Sequence, residues 1–355
     1  MPQTQSTART YKPEDLRVAV RSVLEVVRVP RYDAALVARA LVAADQRGIF
    51  SHGLIRLPLY VTALESGGMN PTPNLRWRRT EGATAVLDAD HAIGHVGMQA
   101  AIDRAIHLAR RYGTATVAVE RSTHYGAGNY WSDQLTDVGL IGILTSSTGP
   151  VVAPHGGRET ILGTNPLTIS VPSSGSHSLT ADMATSAGAY GKVLAAREAG
   201  QTIPEGWAVG PDGTPTTDPA TAIEGALIPF GGPKGSGLSV LLEALASSLS
   251  GANFAFETVD IWVNPAHRMN TGHLVIAIDP AFFDGLAHTR DRVATLQERV
   301  RTAGPSGDVQ APGDPEIARS NCSAGRIELA EAACLAFEQV LDRLNVPRPA
   351  ALPLS

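Results

Sequence analysis

Cysteine is nearly absent: Cys322 and Cys334 are the only two among 355 residues, and they occur in no CxxC or Cys/His ligand spacing. That rules out a disulfide framework and offers no zinc site, so two structural thiols and no metal are expected. Charge is sparse at 18%, set against 43% hydrophobic residues, which is too little charge for a disordered polyelectrolyte and enough apolar surface for a core. There is no basic excess. Lys and Arg number 29 against 34 Asp and Glu, a formal charge of −5, and the doublets Arg78-Arg79 and Arg110-Arg111 stand alone. Such a chain generates no field to gather phosphate backbones, so no nucleic-acid partner is expected. No apolar run reaches the roughly 18 to 20 residues of a membrane span, and Met1 to Asp15 is polar without a signal-peptide apolar stretch, so no membrane partner and a cytoplasmic location are expected. The length allows two or three subdomains of a globular protein.

Glycine (35) and proline (24) are plentiful, and they punctuate periodic segments rather than form one linker. Residues 13 to 47 carry helical apolar spacing (Leu16, Val20, Val23, Leu24, then Ala35, Val37, Ala38, Leu41, Val42), and a further helix runs from Pro58 to just before Gly67-Gly68. From about residue 83 the pattern turns mixed α/β. Strands are expected at Ala85 to Leu87, Thr116 to Val119, Leu140 to Leu144, Leu167 to Val171 and Leu274 to Ile278, with helices at Met98 to Arg111 and near 187 to 199, 236 to 250 and 326 to 344. The glycine turn of a doubly wound nucleotide fold is missing. Gly126-Ala127-Gly128 lacks the third glycine, Gly235-Ser236-Gly237 continues as Leu238-Ser239-Val240, and no GxxxxGK[ST] occurs.

Five constellations carry possible chemistry. In Ser51-His52-Gly53-Leu54-Ile55-Arg56, a helical conformation puts His52 and Arg56 on one face, an imidazole beside a fork donor that can clamp a carboxylate and pass a proton. The same residues suit a plain helix start capped by Ser51. The polar loop Ser122 to Tyr130, containing His124, follows an apolar strand and leads into a helix, where a ligand can approach backbone amides; an ordinary turn histidine fits equally. Gly163-Thr164-Asn165-Pro166 is a tight turn whose side chains orient a carbonyl or an amide, or bond their own turn. Asp182, among small residues, orients a histidine or caps the following helix, which bears Lys192. Pro229 to Leu238 brings Lys234 to a helix N-terminus through a glycine turn suited to phosphate or open to solvent.

Taken in order, SHGLIRLPLY, STHYGAGNYW, LGTNPLTISVP, DMATSAGAYGKV, GWAVGPDGTPTTDP, PFGGPKGSGL and HLVIAIDPAFF resemble the type-2 malate/L-lactate dehydrogenase family, over nearly the whole chain. That family includes ureidoglycolate and sulfolactate dehydrogenases, 2,3-diketogulonate reductase and cyclic-imine carboxylate reductases. The resemblance implies an α/β fold with a non-Rossmann, mixed-sheet nucleotide-binding domain and a helical N-terminal domain packed with the C-terminal helix. It divides the chain at 1–80, 81–310 and 311–355. It also implies a homodimer and NAD or NADP as cofactor, the reduced form being the hydride donor.

By the same resemblance His52 is the proton donor/acceptor, Ser51 its hydrogen-bonded partner and Arg56 the substrate carboxylate clamp. His124 serves catalysis or cofactor, and Thr164 touches substrate. Tyr125, Gly126, Ala127, Gly128, Thr164, Asn165, Ala181, Asp182, Met183, Pro233, Lys234, Pro312, Gly313 and Asp314 are expected at the cofactor, and Asp182 and Lys192 near the chemistry. Two features depart from the imine and malate members: Lys192 stands where imine reductases carry an acid, and Lys234-Gly235-Ser236 differs from the KGY of malate enzymes. Asp314 replaces the glutamate of the usual PGE. The expected reaction is hydride transfer between nicotinamide and C2 of a 2-oxo or 2-hydroxy acid. The alternatives are reduction of a cyclic imine carboxylate and a non-catalytic dinucleotide-binding relative.

Overall fold

A computed structural model describes residues 9–305, 308–323 and 325–353. The chain enters through a short strand, β1 (Arg9–Tyr11), and turns at once into α1 (Pro13–Val26). Pro13 occupies the first helical turn, where its missing N–H costs nothing, and Glu14 and Asp15 complement the positive end of the helix. α2 (Arg31–Gln46) folds back on α1, burying Leu36, Val37 and Leu41 against Val20, Val23 and Leu24. Each such fully buried aliphatic chain contributes roughly 1.5–3 kcal/mol. Two single 3₁₀ turns, Phe50–His52 and Leu54–Arg56, lead into α3 (Leu57–Ser66), which stops at Gly67 in the left-handed region.

The body is a seven-stranded mixed sheet. Its strands are β2 (Arg76–Glu81), β3 (Thr84–Asp88), β4 (Thr114–Ser122), β5 (Ile141–Ser146), β6 (Leu167–Val171) and β7 (Leu179–Met183), joined by a strand from much later in the chain. The helix α4 (Gly94–Tyr112) makes the one parallel crossover, from β3 to β4, and α5 (Gly128–Asp137) links β4 to β5. Beyond β7 lies a small lobe of α6 (Tyr190–Glu198), β8 (Ala208–Val209), β9 (Pro215–Thr216), α7 (Pro219–Glu224) and β10 (Ala226–Leu227), with its own three-stranded sheet. The long α8 (Pro233–Ser248) then returns the chain to β11 (Thr271–Ile278).

β11 slots between β4 and β5, antiparallel to both, so the sheet order is β2-β3-β4-β11-β5-β6-β7. A strand with Leu274, Val275 and Ala277 buried suits that central position. The chain ends with α9 (Leu286–Arg301), α10 (Asp314–Cys322), β12 (Ile327–Leu329), α11 (Glu331–Arg343) and β13 (Ala351–Leu352). β12 and β13 flank β1, and α11 packs on α1 and α3. One continuous cluster of buried side chains runs from α1, α2 and α11 into the sheet.

The expected helix over 326–344 begins later, at Glu331. Ile327 and Leu329 alternate inward and take the free edge that Arg9–Tyr11 offers, a pairing no local pattern reveals. The helical geometry expected to align His52 with Arg56 is also replaced, by the two 3₁₀ turns broken at Gly53.

Candidate active site

The turn that carries Ser51, His52 and Arg56 is held by a buried carboxylate. Asp45, in the last turn of α2, accepts the Leu54 N–H at 2.9 Å, and Gly53 passes so close that an added side-chain carbon would lie 1.8 Å from Asp45 Oδ1. Burial pushes the Asp45 carboxyl up to about 7, only partly offset by that hydrogen bond. The glycine of SHG is therefore a close-approach requirement, which bends the chain so that His52 and Arg56 turn inward together. Ser51 Oγ lies 2.9 Å from His52 Nδ1, and Arg56 Nε donates to the Ser51 carbonyl at 2.5 Å.

His124 arrives from the other side, in the loop between β4 and α5. Thr123 pins that loop: its hydroxyl donates to the Ala92 carbonyl at 3.0 Å and accepts the Gly94 N–H at 2.9 Å. The imidazoles of His52 and His124 then stack with centroids 5.2 Å apart and planes at 26°. Tyr60, buried in α3, places its hydroxyl 2.5 Å from His124 Nδ1. Arg56 is covered on one face by Trp262, with its guanidinium carbon 4.2 Å from the ring centroid, and the indole meets His124 edge-on at 5.9 Å.

The electrostatics follow from this crowding. Burial lowers His52 to about 4, with Arg56 adding repulsion, and burial likewise holds His124 well below its ordinary value, with smaller contributions from His52, Arg56, His95 and His273. Burial keeps Tyr60 protonated far above neutrality, so a neutral His124 can accept its hydroxyl proton at Nδ1. Burial therefore favours the neutral form of both imidazoles at pH 7, and a proton on one opposes a second on the other. Among the described residues Arg56 has no acid within ion-pair distance, and its terminal nitrogens have no hydrogen-bond partner. The arrangement is a shielded cation beside a proton acceptor, which is what a carboxylate bearing a reactive carbon requires.

Against known proteins, the sequence profile described as malate/L-lactate dehydrogenase matches residues 11–334. The chain belongs to the malate/L-lactate dehydrogenase family. It is therefore an enzyme of the oxidoreductase class. It is 40% identical over 307 residues to L-sulfolactate dehydrogenase of Methanocaldococcus jannaschii, covering 86% of this chain and 88% of that one. It is 36% identical over 322 residues to ureidoglycolate dehydrogenase (NAD(+)) of Escherichia coli O157:H7, covering 90% and 92%. The solved structure of sulfolactate dehydrogenase from Methanocaldococcus jannaschii superposes with a TM-score of 0.88 at 36% identity, covering 95% of this chain and 98% of that one.

The other family motifs join this cluster through a chain of contacts. Asp260 packs against Gly149, Thr148 Oγ1 accepts the Thr164 N–H at 2.8 Å, and Thr185 N–H donates to the Thr164 carbonyl at 2.8 Å. Phe230 N–H donates to the Thr185 carbonyl at 3.0 Å, which brings in the turn ahead of Pro233 and Lys234. On the far side Asp182 accepts from Asn129 N–H at 2.9 Å and Thr168 Oγ1 at 2.7 Å, and the Thr180 N–H donates to the Pro312 carbonyl at 3.3 Å. Gly128 thus lies against Asp182, and Thr180, two residues earlier on the same strand, against Pro312 and Gly313.

Three residues are used differently from expectation. Among the described residues Asp182 bonds no histidine, and it accepts from the first turn of α5 rather than capping the helix that follows it, because β7 runs past the α5 N-terminus. Lys192 is exposed, with Nζ 6.0 Å from the Trp207 ring centroid in the small lobe, and among the described residues it makes no ion pair or hydrogen bond with the imidazoles. Asp314 is taken up internally: the Arg301 fork donates to it at 2.7 and 2.9 Å and His177 Nε2 lies at 2.7 Å, which hold its carboxyl well below the usual range. Sequence reasoning missed Tyr60, Asp260 and Trp262 and gave Asp45 no role. Tyr60 had a signal, since it closes the SHGLIRLPLY motif; Trp262 lies in a loop without periodicity.

Proposed function

We propose that this enzyme interconverts a 2-oxo and a 2-hydroxy carboxylic acid, with Arg56 holding the carboxylate and His52 exchanging the proton on the C2 oxygen. The observation that carries this reading is Arg56 itself, largely buried and stacked under Trp262, bonded at Nε only and with no acid within ion-pair distance among the described residues, Asp260 acting on it only at longer range, beside two imidazoles that burial favours as neutral. The relatives act, by their names, on sulfolactate and ureidoglycolate, both 2-hydroxy carboxylates.

A nicotinamide dinucleotide supplies or accepts the hydride when bound. The residues present fit such a group. Gly231 and Gly232 have φ of 60° and 63°, and an added carbon at Gly231 meets nothing, so the turn into the 16-residue α8 is open, with exposed Lys234 at its positive end. The buried Oδ1 atoms of Asn165 and Asn129 lack partners among the described residues, as acceptors awaiting amide or hydroxyl donors would. Thr164, Asn165, the amides of Tyr125 to Gly128 and the turns at Ala181 to Met183 and Pro312 to Gly313 would hold it.

Arg56 orients the acid by its fork and so presents one face of C2. We assign the proton to His52 because it sits in the same turn as Arg56, with Ser51 Oγ 2.9 Å from Nδ1 to fix its tautomer, while His124 Nδ1 lies against the Tyr60 hydroxyl. For reduction His52 must be protonated, and an anion on Arg56 cancels the repulsion that opposes this; for oxidation the neutral ring is ready. We also propose a homodimer. Leu241 (62%), Leu245 and Leu249 are exposed at i, i+4 and i+8 along α8 and its C-terminal end, and Phe256 and Val263 are exposed in the segment that follows and carries Trp262.

A panel of pyruvate, oxaloacetate, a bulky 2-oxo acid and a cyclic imine acid, each with NADH and NADPH, tests the reading. Turnover is expected for 2-oxo acids, and His52→Ala lowers kcat on the order of 100-fold or more with little change in KM. Full turnover by that variant removes His52 from the proton step.

A further inference from the structure

The loop that carries Trp262 is fixed at both ends. At its start Asp260 accepts the Trp262 N–H at 3.2 Å and packs so tightly on Gly149 that an added carbon there would lie 2.4 Å from Asp260 Oδ2. At its end the Pro265 carbonyl would lie 2.0 Å from a side-chain carbon at Gly68, and Arg268 Nε donates to the Gly67 carbonyl at 3.3 Å. Two glycines thus admit the loop and hold the indole in place over the guanidinium. A tryptophan placed for core packing would be buried; this one is 43% exposed, with one face on Arg56 and an edge on His124.

That position has a steric consequence. A carboxylate in the Arg56 fork must lie in the guanidinium plane, beneath the edge of the indole, with C2 turned toward His52. The indole lines the way out for the substituent on C3, since the ring that covers Arg56 also meets His124, which stacks on His52.

We propose that Trp262 is the specificity-determining wall of the acid site, restricting the substrate to 2-oxo or 2-hydroxy acids with short, unbranched C3 substituents. The inference rests on the proposed carboxylate role of Arg56 and adds which acids that site accepts.

The test compares kcat/KM for pyruvate and phenylpyruvate in the wild type, Trp262→Phe and Trp262→Ala. The expected result is a wild type that prefers pyruvate, a preference shifted at least tenfold toward phenylpyruvate in Trp262→Ala, and an intermediate shift in Trp262→Phe. The same substitutions are read by calorimetry as the ratio of Kd for the two acids in the presence of the cofactor, which decides the question if either variant turns over slowly. An equal loss for both acids means that Trp262 only orients Arg56 and overturns the inference. A wild type that binds both acids and turns over neither would instead defeat the proposed reaction, while a shifted Kd ratio would leave the wall standing.

Discussion

Each side chain of the site is set by what surrounds it more than by its own chemistry. His52 would titrate near 6.5 in water; buried beside Arg56 it is lowered to about 4. The sign of the pH dependence follows. The neutral ring is needed for oxidation, so kcat/KM in that direction should stay flat from pH 8 down to about 5 and fall only as pH approaches 4. The protonated ring is needed for reduction, so kcat/KM there should fall about tenfold per unit as pH rises above 4. Parallel pH profiles in both directions check this; an oxidation limb near 6.5 would contradict it. Gly53 offers a second test at this scale. Gly53→Ala drives a methyl into Asp45, so a loss of about 1–3 kcal/mol in stability is expected, read by chemical denaturation, together with impaired turnover. Ser51, His52, Arg56 and His124 were legible because short motifs carry them. Trp262 was not: it comes within 4.2 Å of Arg56 only because Gly149 and Gly68 admit its loop, and those approaches leave no mark on local spacing.

At the level of elements, apolar periodicity located what packing alone decides. The strand Leu167–Val171 and the helix ending before Gly67 stand where their patterns put them. Elements that depend on distant partners were hidden. β2, of sequence RWRRTE, looks like a charged loop and becomes a strand because it edges the sheet beside β3. β7, where no strand is expected, lies at the other edge of the sheet, paired with β6. The 3₁₀ turns around Gly53 replace the expected helix because Asp45 captures the Leu54 N–H. The apolar face of α8 sets the prediction proper to this scale. Leu241→Glu with Leu245→Glu should convert a dimer into a monomer by analytical ultracentrifugation while leaving the far-ultraviolet circular dichroism unchanged. A monomeric wild type would refute the proposed dimer.

Across the whole molecule, β11 explains why the usual dinucleotide turn is missing. Inserted between β4 and β5, it makes the sheet mixed and brings His273 into the buried region behind the site, with Nδ1 and Nε2 each 2.8 Å from a serine hydroxyl. His95 and His273 are lowered to about 3 by burial, and both nitrogens of His95 lack partners among the described residues. An unfolded chain binds protons on these rings below about 6.5 while the native one does not until about 3, so each ring costs stability as pH falls through that window. Asp45 acts oppositely: raised to about 7, it favours the native state below that pH, so stability tied to it is lost as pH rises toward 7. Comparison with a variant separates the two. His95→Leu should flatten the acid limb of stability between pH 6.5 and 4 by about one proton's slope, seen in denaturant titrations at several pH values; an unchanged slope would show that His95 is not the group responsible.

The central claim is that Arg56 recognises a carboxylate and presents the adjoining carbon to His52. It is tested most directly by measuring kcat/KM for a 2-oxo acid and for its carboxamide in the wild type and in Arg56→Ala. The wild type should prefer the acid on the order of 100-fold, since charge-assisted hydrogen bonds contribute roughly 1.5–3 kcal/mol each, and the variant should lose nearly all of that preference. A preference that survives the substitution intact would contradict the account.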